Sequence, residues 1–243
     1  MNKPPPSSET PRIFEPDEAQ AIAEQAQLIL ARMIPECTAR RYQPSVRTDG
    51  WQTLLCFAGS GPIVPILPIG PSQYGELARA RFWYGLTLWK DGIRRGPTFP
   101  YVLGAFSGPN LKGSFRLDSG PQAIAEAVYE ALGAYDLNAI IAAATPERVL
   151  KTFPSQPQVW QRFMYALCAI YLRRFEDAGL LLDAYLDGND DTERGWIWAD
   201  MFNDATAYSR ALKSDPESVR ESLIEVMNSN WSHLNIVDTG AAG

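Results

Sequence analysis

The chain of 243 residues has one histidine, His233, and three widely separated cysteines, Cys37, Cys56 and Cys168. Multi-histidine metal sites are impossible, and no ligand pair at zinc-site spacing is present. A histidine base needs an orienting carboxylate and a nucleophile, and neither is recognisable around SNWSHLNI. The cysteines make no disulfide framework, which fits a reducing, cytoplasmic setting. Cys56 and Cys168 lie in apolar patterns and read as small buried hydrophobes, while Cys37 precedes Arg40 and Arg41. Long apolar runs are also missing. The richest, Ile63–Ile69, is interrupted by Pro65 and Pro68, and the start lacks the apolar region of a secretory signal. Phosphate loops are absent too: GSGP at 59–62 and GPSQYG at 70–75 lack the lysine and hydroxyl residue, and no GxGxxG follows a strand.

Apolar residues, by contrast, are plentiful, at 46% of the chain against 21% charged, a composition that packs a core. The exception is MNKPPPSSETPR, whose prolines and small polar residues have nothing to bury and predict an arm over 1–14. Charge divides unevenly. Residues 1–116 hold 13 Lys/Arg and 9 Asp/Glu, whereas 117–243 hold 9 and 19. The second half repels polyanions and attracts a basic protein, so a protein partner is expected, with neither nucleic acid nor membrane.

A helix is expected over 15–34, opened by Pro16, Asp17 and Glu18 and stopped by Pro35, with Ala19, Ile22, Ala26, Ile29 and Met33 as its apolar stripe. Short apolar runs punctuated by Gly and Pro follow: Trp51–Ala58, Ile63–Ile69, Phe82–Trp89, Tyr101–Phe106 and Ser114–Leu117. These predict antiparallel strands, the third central because both of its faces are bulky. A short helix fits within Gly70–Ala80. Ser119 and Gln122 have capping-box spacing, with Pro121 in the first turn and Gly133 at the close. Further helices are expected from Thr145–Pro146 to Lys151, at 158–172, 175–186 and 192–212, and at 216–229 capped by Asp215. The fold class is therefore α+β, a small antiparallel sheet with flanking helices and a helical C-terminal part. We divide it into an α+β domain at 15–153 and a helical extension or domain at 154–243, the boundary falling in TFPSQP.

The segment YALCAIYLRRFEDAGLLLDAYL, 165–186, resembles one tetratricopeptide-type hairpin in Leu172, Phe175, Glu176 and Ala178, although Arg173 replaces the usual turn glycine and no second copy follows at that spacing. The order of one helix, a Gly/Pro-rich sheet, and helices around GSFRLDSGPQAIAEAVYEAL and ATPERVLKTF resembles a bacterial group of small α+β proteins of unknown function, some suspected to be toxin-immunity proteins. That resemblance implies no particular site residues.

The richest local constellation is DGNDDTE at 187–193. Its alternating oxygens imitate the start of a calcium loop, but Thr192 stands where glycine is required and Trp198 where glutamate is. It reads as a solvated acidic loop, without metal or cofactor. With tryptophans just beyond it, Asp187, Asp190, Asp191, Glu193, Trp196 and Trp198 form a candidate protein-binding surface, aromatic anchors with a charged rim. The leading expectation is a non-enzymatic binding module, an immunity-type protein that neutralises a basic toxin. Two alternatives stand beside it. A carboxylate-based hydrolase would use Asp200 and Asp204, one helical turn apart, while Glu126 and Glu130 share that spacing. A structural homo-oligomer is the other.

Overall fold

A computed structural model describes residues 14–34, 37–42, 52–57, 61–72, 76–89, 106–151, 159–188 and 196–234. Helix α1, Pro16–Met33, has the expected ends: proline in the first turn beside Asp17 and Glu18, and Arg32 in the last turn. Its buried line is Ala19, Ala23, Ala26 and Leu30. Ile22, Ile29 and Met33, expected in the stripe, flank that line and are only partly buried. The inward positions go to alanines because small side chains let the helix lie close to its neighbours.

The sheet is antiparallel throughout and follows chain order. Strand β1 (Cys37–Tyr42), where no strand was expected, pairs with β2 (Gln52–Phe57) in unbroken register from Cys37 opposite Phe57 to Tyr42 opposite Gln52. Strand β2 then pairs with β3 (Ile63–Ile66). Strands β3 and β4 (Ile69–Pro71) lie along one edge of β5 (Leu77–Leu86) without a register change: Ile66 faces Trp83 and Ile69 faces Ala80. The ladder lapses only at Leu67–Pro68, where proline has no N–H to give. The Ile69 N–H beside the gap donates to the buried Gln27 side chain of α1 at 2.8 Å. Along the other edge of β5 run β6 (Phe106–Asn110) and β7 (Phe115–Arg116), with a register shift between Arg81 and Trp83. Strand β5 is thus central, as its two bulky faces predict. It begins at Leu77 rather than Phe82, and the short helix expected in Gly70–Ala80 is replaced by β4 and the first residues of β5, which pair with each other. Most of the expected run Tyr101–Phe106 and the TFPSQP boundary lie outside the described residues.

A single 3₁₀ turn, Leu117–Ser119, leads into α2 (Gly120–Leu132). Ser119 does not form the predicted capping box. Its backbone is already helical, at φ −71° and ψ −16°, and its side chain makes no capping bond, whereas a capping serine needs extended backbone. Gly120, at φ +82°, supplies the change of direction. The short α3 (Leu137–Ala142), not anticipated, is capped by Asp136, which accepts from the Ala139 N–H at 3.0 Å. Helix α4 (Pro146–Lys151) is capped by Thr145, whose hydroxyl accepts from the Arg148 N–H at 3.3 Å.

Four longer helices complete the chain: α5 (Val159–Tyr171), α6 (Phe175–Asp187), α7 (Trp196–Leu212) and α8 (Pro216–Leu234). Asp215 caps α8 as expected, accepting from the Ser218 N–H at 3.1 Å. Helix α8 runs past its expected end, so His233 lies in its last turn rather than beyond it. Every residue from Phe163 to Ile170 is buried, as in a helix surrounded on all sides; α5 packs against α4, α6 and α8. Among the described residues no helix is long and apolar enough to cross a membrane.

Two clusters of buried side chains result. The first joins Phe14, α1, α2, and Ala78, Ala80 and Phe82 of β5. The second gathers Ile63, the end of β5 at Leu86 with Leu88 and Trp89, and the helices α4 to α8. Tyr84 touches both, and its hydroxyl donates to the Ile140 carbonyl at 3.5 Å. Polar bonds fix the tip of β5 among the helices. The Asn230 amide of α8 donates to the Thr87 carbonyl at 2.7 Å and the Trp89 carbonyl at 3.1 Å. The Trp89 indole donates to Asp204 of α7 at 2.9 Å, and the Thr87 hydroxyl to the Pro62 carbonyl at 2.9 Å.

Candidate functional site

Leu180, Leu181 and Leu182 are consecutive, and a helix advances about 100° per residue, so they cannot all face inward. The inward line of α6 is Ala178, Leu182 and Tyr185. Leu180 is therefore turned outward, and it is 72% exposed. It shares the outer face with Glu176, Asp183 and Asp187, all exposed, at helical spacings of four, three and four. Leu180 and Tyr129 are the exposed large hydrophobic side chains among the described residues, and Leu180 is the more exposed of the two.

Beside this line is a groove of about 270 Å³ lined by Leu150 of α4 and by Arg174, Asp177, Leu180 and Leu181. Arg174 closes one side, its Nε and Nη2 donating to the same Asp177 oxygen at 2.7 and 2.6 Å. The pair is exposed and contributes little to stability, but it leaves that rim neutral. Across the groove α4 ends in the exposed Arg148 and Lys151 beside Leu150, and the negative charge lies toward the C-terminal end of α6. Asp187 is in the last turn, Asp183 is one turn earlier, and no basic residue is in that turn. The helix dipole disfavours the Asp187 carboxylate in the last turn by about 0.3–1 kcal/mol, a penalty that a cationic neighbour would offset.

The face is held firmly from behind. Arg162 of α5 donates to the Ala184 carbonyl at 2.6 Å, and the Ser209 hydroxyl of α7 to Asp183 at 2.9 Å. The corner before α6 is a Schellman closure: the Arg174 N–H bonds the Ala169 carbonyl at 2.8 Å and the Arg173 N–H the Ile170 carbonyl at 2.9 Å. Arg173 carries the left-handed φ of +60° that this closure demands, where glycine is the usual residue. Helix α8 braces the corner, with Arg220 donating to the Tyr171 carbonyl at 2.9 Å and Glu217 3.1 Å from Arg173.

Of the residues predicted from sequence for binding, Asp187 belongs to this face. Asp190, Asp191 and Glu193, and the rest of the calcium-like string beyond Gly188, lie outside the described residues. Trp196 and Trp198 open α7, and their side chains also fall outside the description. Asp200 and Asp204 sit one turn apart on α7, both half-buried, and Asp204 is engaged with the Trp89 indole. One turn further on, burial and then the Asp204 charge push the Tyr208 phenol well above its ordinary range. Glu126 and Glu130 are exposed on α2 with Tyr129, and Glu126 accepts from Gln122 at 2.8 Å. Cys168 is wholly enclosed in α5, where burial, reinforced by Glu147, pushes its thiol pKa far up and disfavours the reactive thiolate. Among the described residues no three His, Cys, Asp or Glu gather as a metal site.

Sequence reasoning singled out the acids and missed Leu180 and the groove. The run of three leucines was the available signal. Comparison of the chain with protein families, with curated proteins and with solved structures gives no match.

Proposed function

We propose that the chain is a protein-binding module that meets a basic partner through the outer face of α6 and the acidic segment that follows it. The observation carrying this reading is the exposed line Glu176, Leu180, Asp183 and Asp187, rigidly backed by α5 and α7. Charge of one sign steers a partner of the other, and an apolar centre gives the contact its energy. Neutralisation of a basic toxin is the specific form we favour, on the resemblance of its element order to bacterial proteins suspected of that role. The hydrolase alternative has less support, because Asp204 is engaged with the Trp89 indole at 2.9 Å.

The test is affinity capture with the full chain and with a variant carrying Glu176→Gln, Asp183→Asn and Asp187→Asn, each in low and moderate salt. A basic protein retained by the parent, released by salt and lost with the variant supports the reading. Equal retention by both chains, or no specific partner in either salt, sinks it.

A further inference from the structure

We infer that the groove between α4 and α6 receives one large apolar side chain from a cationic amphipathic helix of the partner. This rests on the binding role proposed above and names the kind of segment bound. At about 270 Å³ the groove falls just below the roughly 300–1,000 Å³ of small-molecule sites, a size suited to a side chain. Its apolar wall comes from Leu150, Leu180 and Leu181, and a Leu or Phe entering there covers the outward Leu180. The charges define the rest of the occupant: its cations belong along the acids of α6 and away from Arg148 and Lys151 of α4. From Glu176 to Asp187 the outer line of α6 extends about 16 Å, so the three carboxylates span roughly three helical turns. A partner helix with apolar anchors on one face and Lys or Arg flanking them matches both the groove and the line. A second copy of this chain is the poorer occupant: each copy brings a net charge of −6, and the helical half is the more acidic part.

The test uses the isotope-labelled full chain and three synthetic helical peptides of three to four turns. The first has leucines at i and i+4 among lysines, the second has serines in place of those leucines, and the third has glutamates in place of the lysines. The first peptide is expected to shift the amide signals of Leu150, Leu180, Leu181 and Asp183. The serine peptide is expected to bind about tenfold more weakly or worse, as is the first peptide toward Leu180→Ser, because burying a leucine is worth at least that factor. The glutamate peptide is expected not to bind. Leu180 is exposed, so its serine variant should keep the parent melting temperature, and Leu180→Met should restore binding if the groove is the site. Equal binding of the leucine and serine peptides at α6 overturns the groove inference while leaving the acidic-face reading intact. Failure of both lysine peptides at α6 overturns both. A dimer whose interface maps to Leu180 also overturns the inference.

Discussion

Two packed surfaces of the molecule, the inner face of α1 and the surroundings of Phe163, solve the same packing problem with side chains of opposite size. Against the sheet, α1 presents Ala19, Ala23 and Ala26, and it meets Ala125 of α2 and Ala78 and Ala80 of β5 in one cluster. Among the helices the space is filled by Trp89, Phe163, Tyr165, Tyr185 and Trp231, with Met164, Met201 and Met227 in the remaining gaps. Phe163 is the hub there: Trp89 meets it edge-on at 5.9 Å, Tyr185 lies tilted at 5.6 Å, and Tyr208 stacks at 6.4 Å. Close approach of backbones stabilises the α1 face, and interlocking rings the surroundings of Phe163, although the sheet side has a ring pair of its own, Phe57 and Phe82 at 5.5 Å. The first should therefore fail when something is added, the second when something is removed.

The largest expected effect is on the helical side. Phe163→Ala should cost about 3–5 kcal/mol, the range for deleting a fully buried aromatic ring, measured by urea unfolding. The counterpart on the sheet side is Ala26→Leu. It should cost about 1–3 kcal/mol through overpacking between α1 and its neighbours, although the same added methylenes on an exposed face would be nearly neutral. If Ala26→Leu is tolerated, the contrast between the α1 face and the surroundings of Phe163 collapses.

An alkaline titration sharpens the comparison next. The Tyr185 phenol is pushed by burial from 10.0 up to about 12, and Tyr208 moves in the same direction. The folded state therefore holds protons that the unfolded chain releases. This contribution is complete below pH 10 and is lost as pH rises toward 12. Thermal melts at pH 9 and pH 11 should show a steeper loss for the parent than for Tyr185→Phe, and an equal loss would refute it. The smallest effect is expected at the corner between α5 and α6. Arg173→Gly relieves a left-handed residue at φ +60° and gives up an exposed contact with Glu217. Relief of the backbone outweighs a surface pair of little net worth, so stability should rise by about 0.5–1 kcal/mol. A lower melting temperature would show that the bracing by α8 matters more.

Much of this architecture was legible because its cues are local. Pro16 and Pro35 bracket α1, Asp215 and Pro216 open α8, and the double-sided bulk of Phe82–Trp89 marks a central strand. Cues that depend on partners were not legible. The buried line of α1 runs through Ala23 rather than Ile22, since alanine looks indifferent in sequence yet suits a close contact. Strand β1, with Thr38, Arg40 and Arg41, has no apolar alternation to reveal it; pairing with β2 makes it a strand. Gly70–Ala80 resembles a short helix until the uninterrupted register of β3 and β4 on β5 is seen. The site divides in the same way. Its acids can be counted along the chain, whereas the outward turn of Leu180 follows from which neighbour claims Leu182.

The tip of β5 also sets a schedule. Trp89 is synthesised 115 residues ahead of Asp204, which accepts the hydrogen bond of its indole, and 141 residues ahead of Asn230, which ties down its carbonyl. Contacts separated by so much chain are slow to close, and domains take shape from the N-terminal end as they are made. The sheet side is complete in sequence long before α8 emerges. Helices α4 to α7 can already cover Leu86, Leu88 and Trp89 by then, but a chain halted before Asn230 leaves the Thr87 and Trp89 carbonyls without the amide that ties them down.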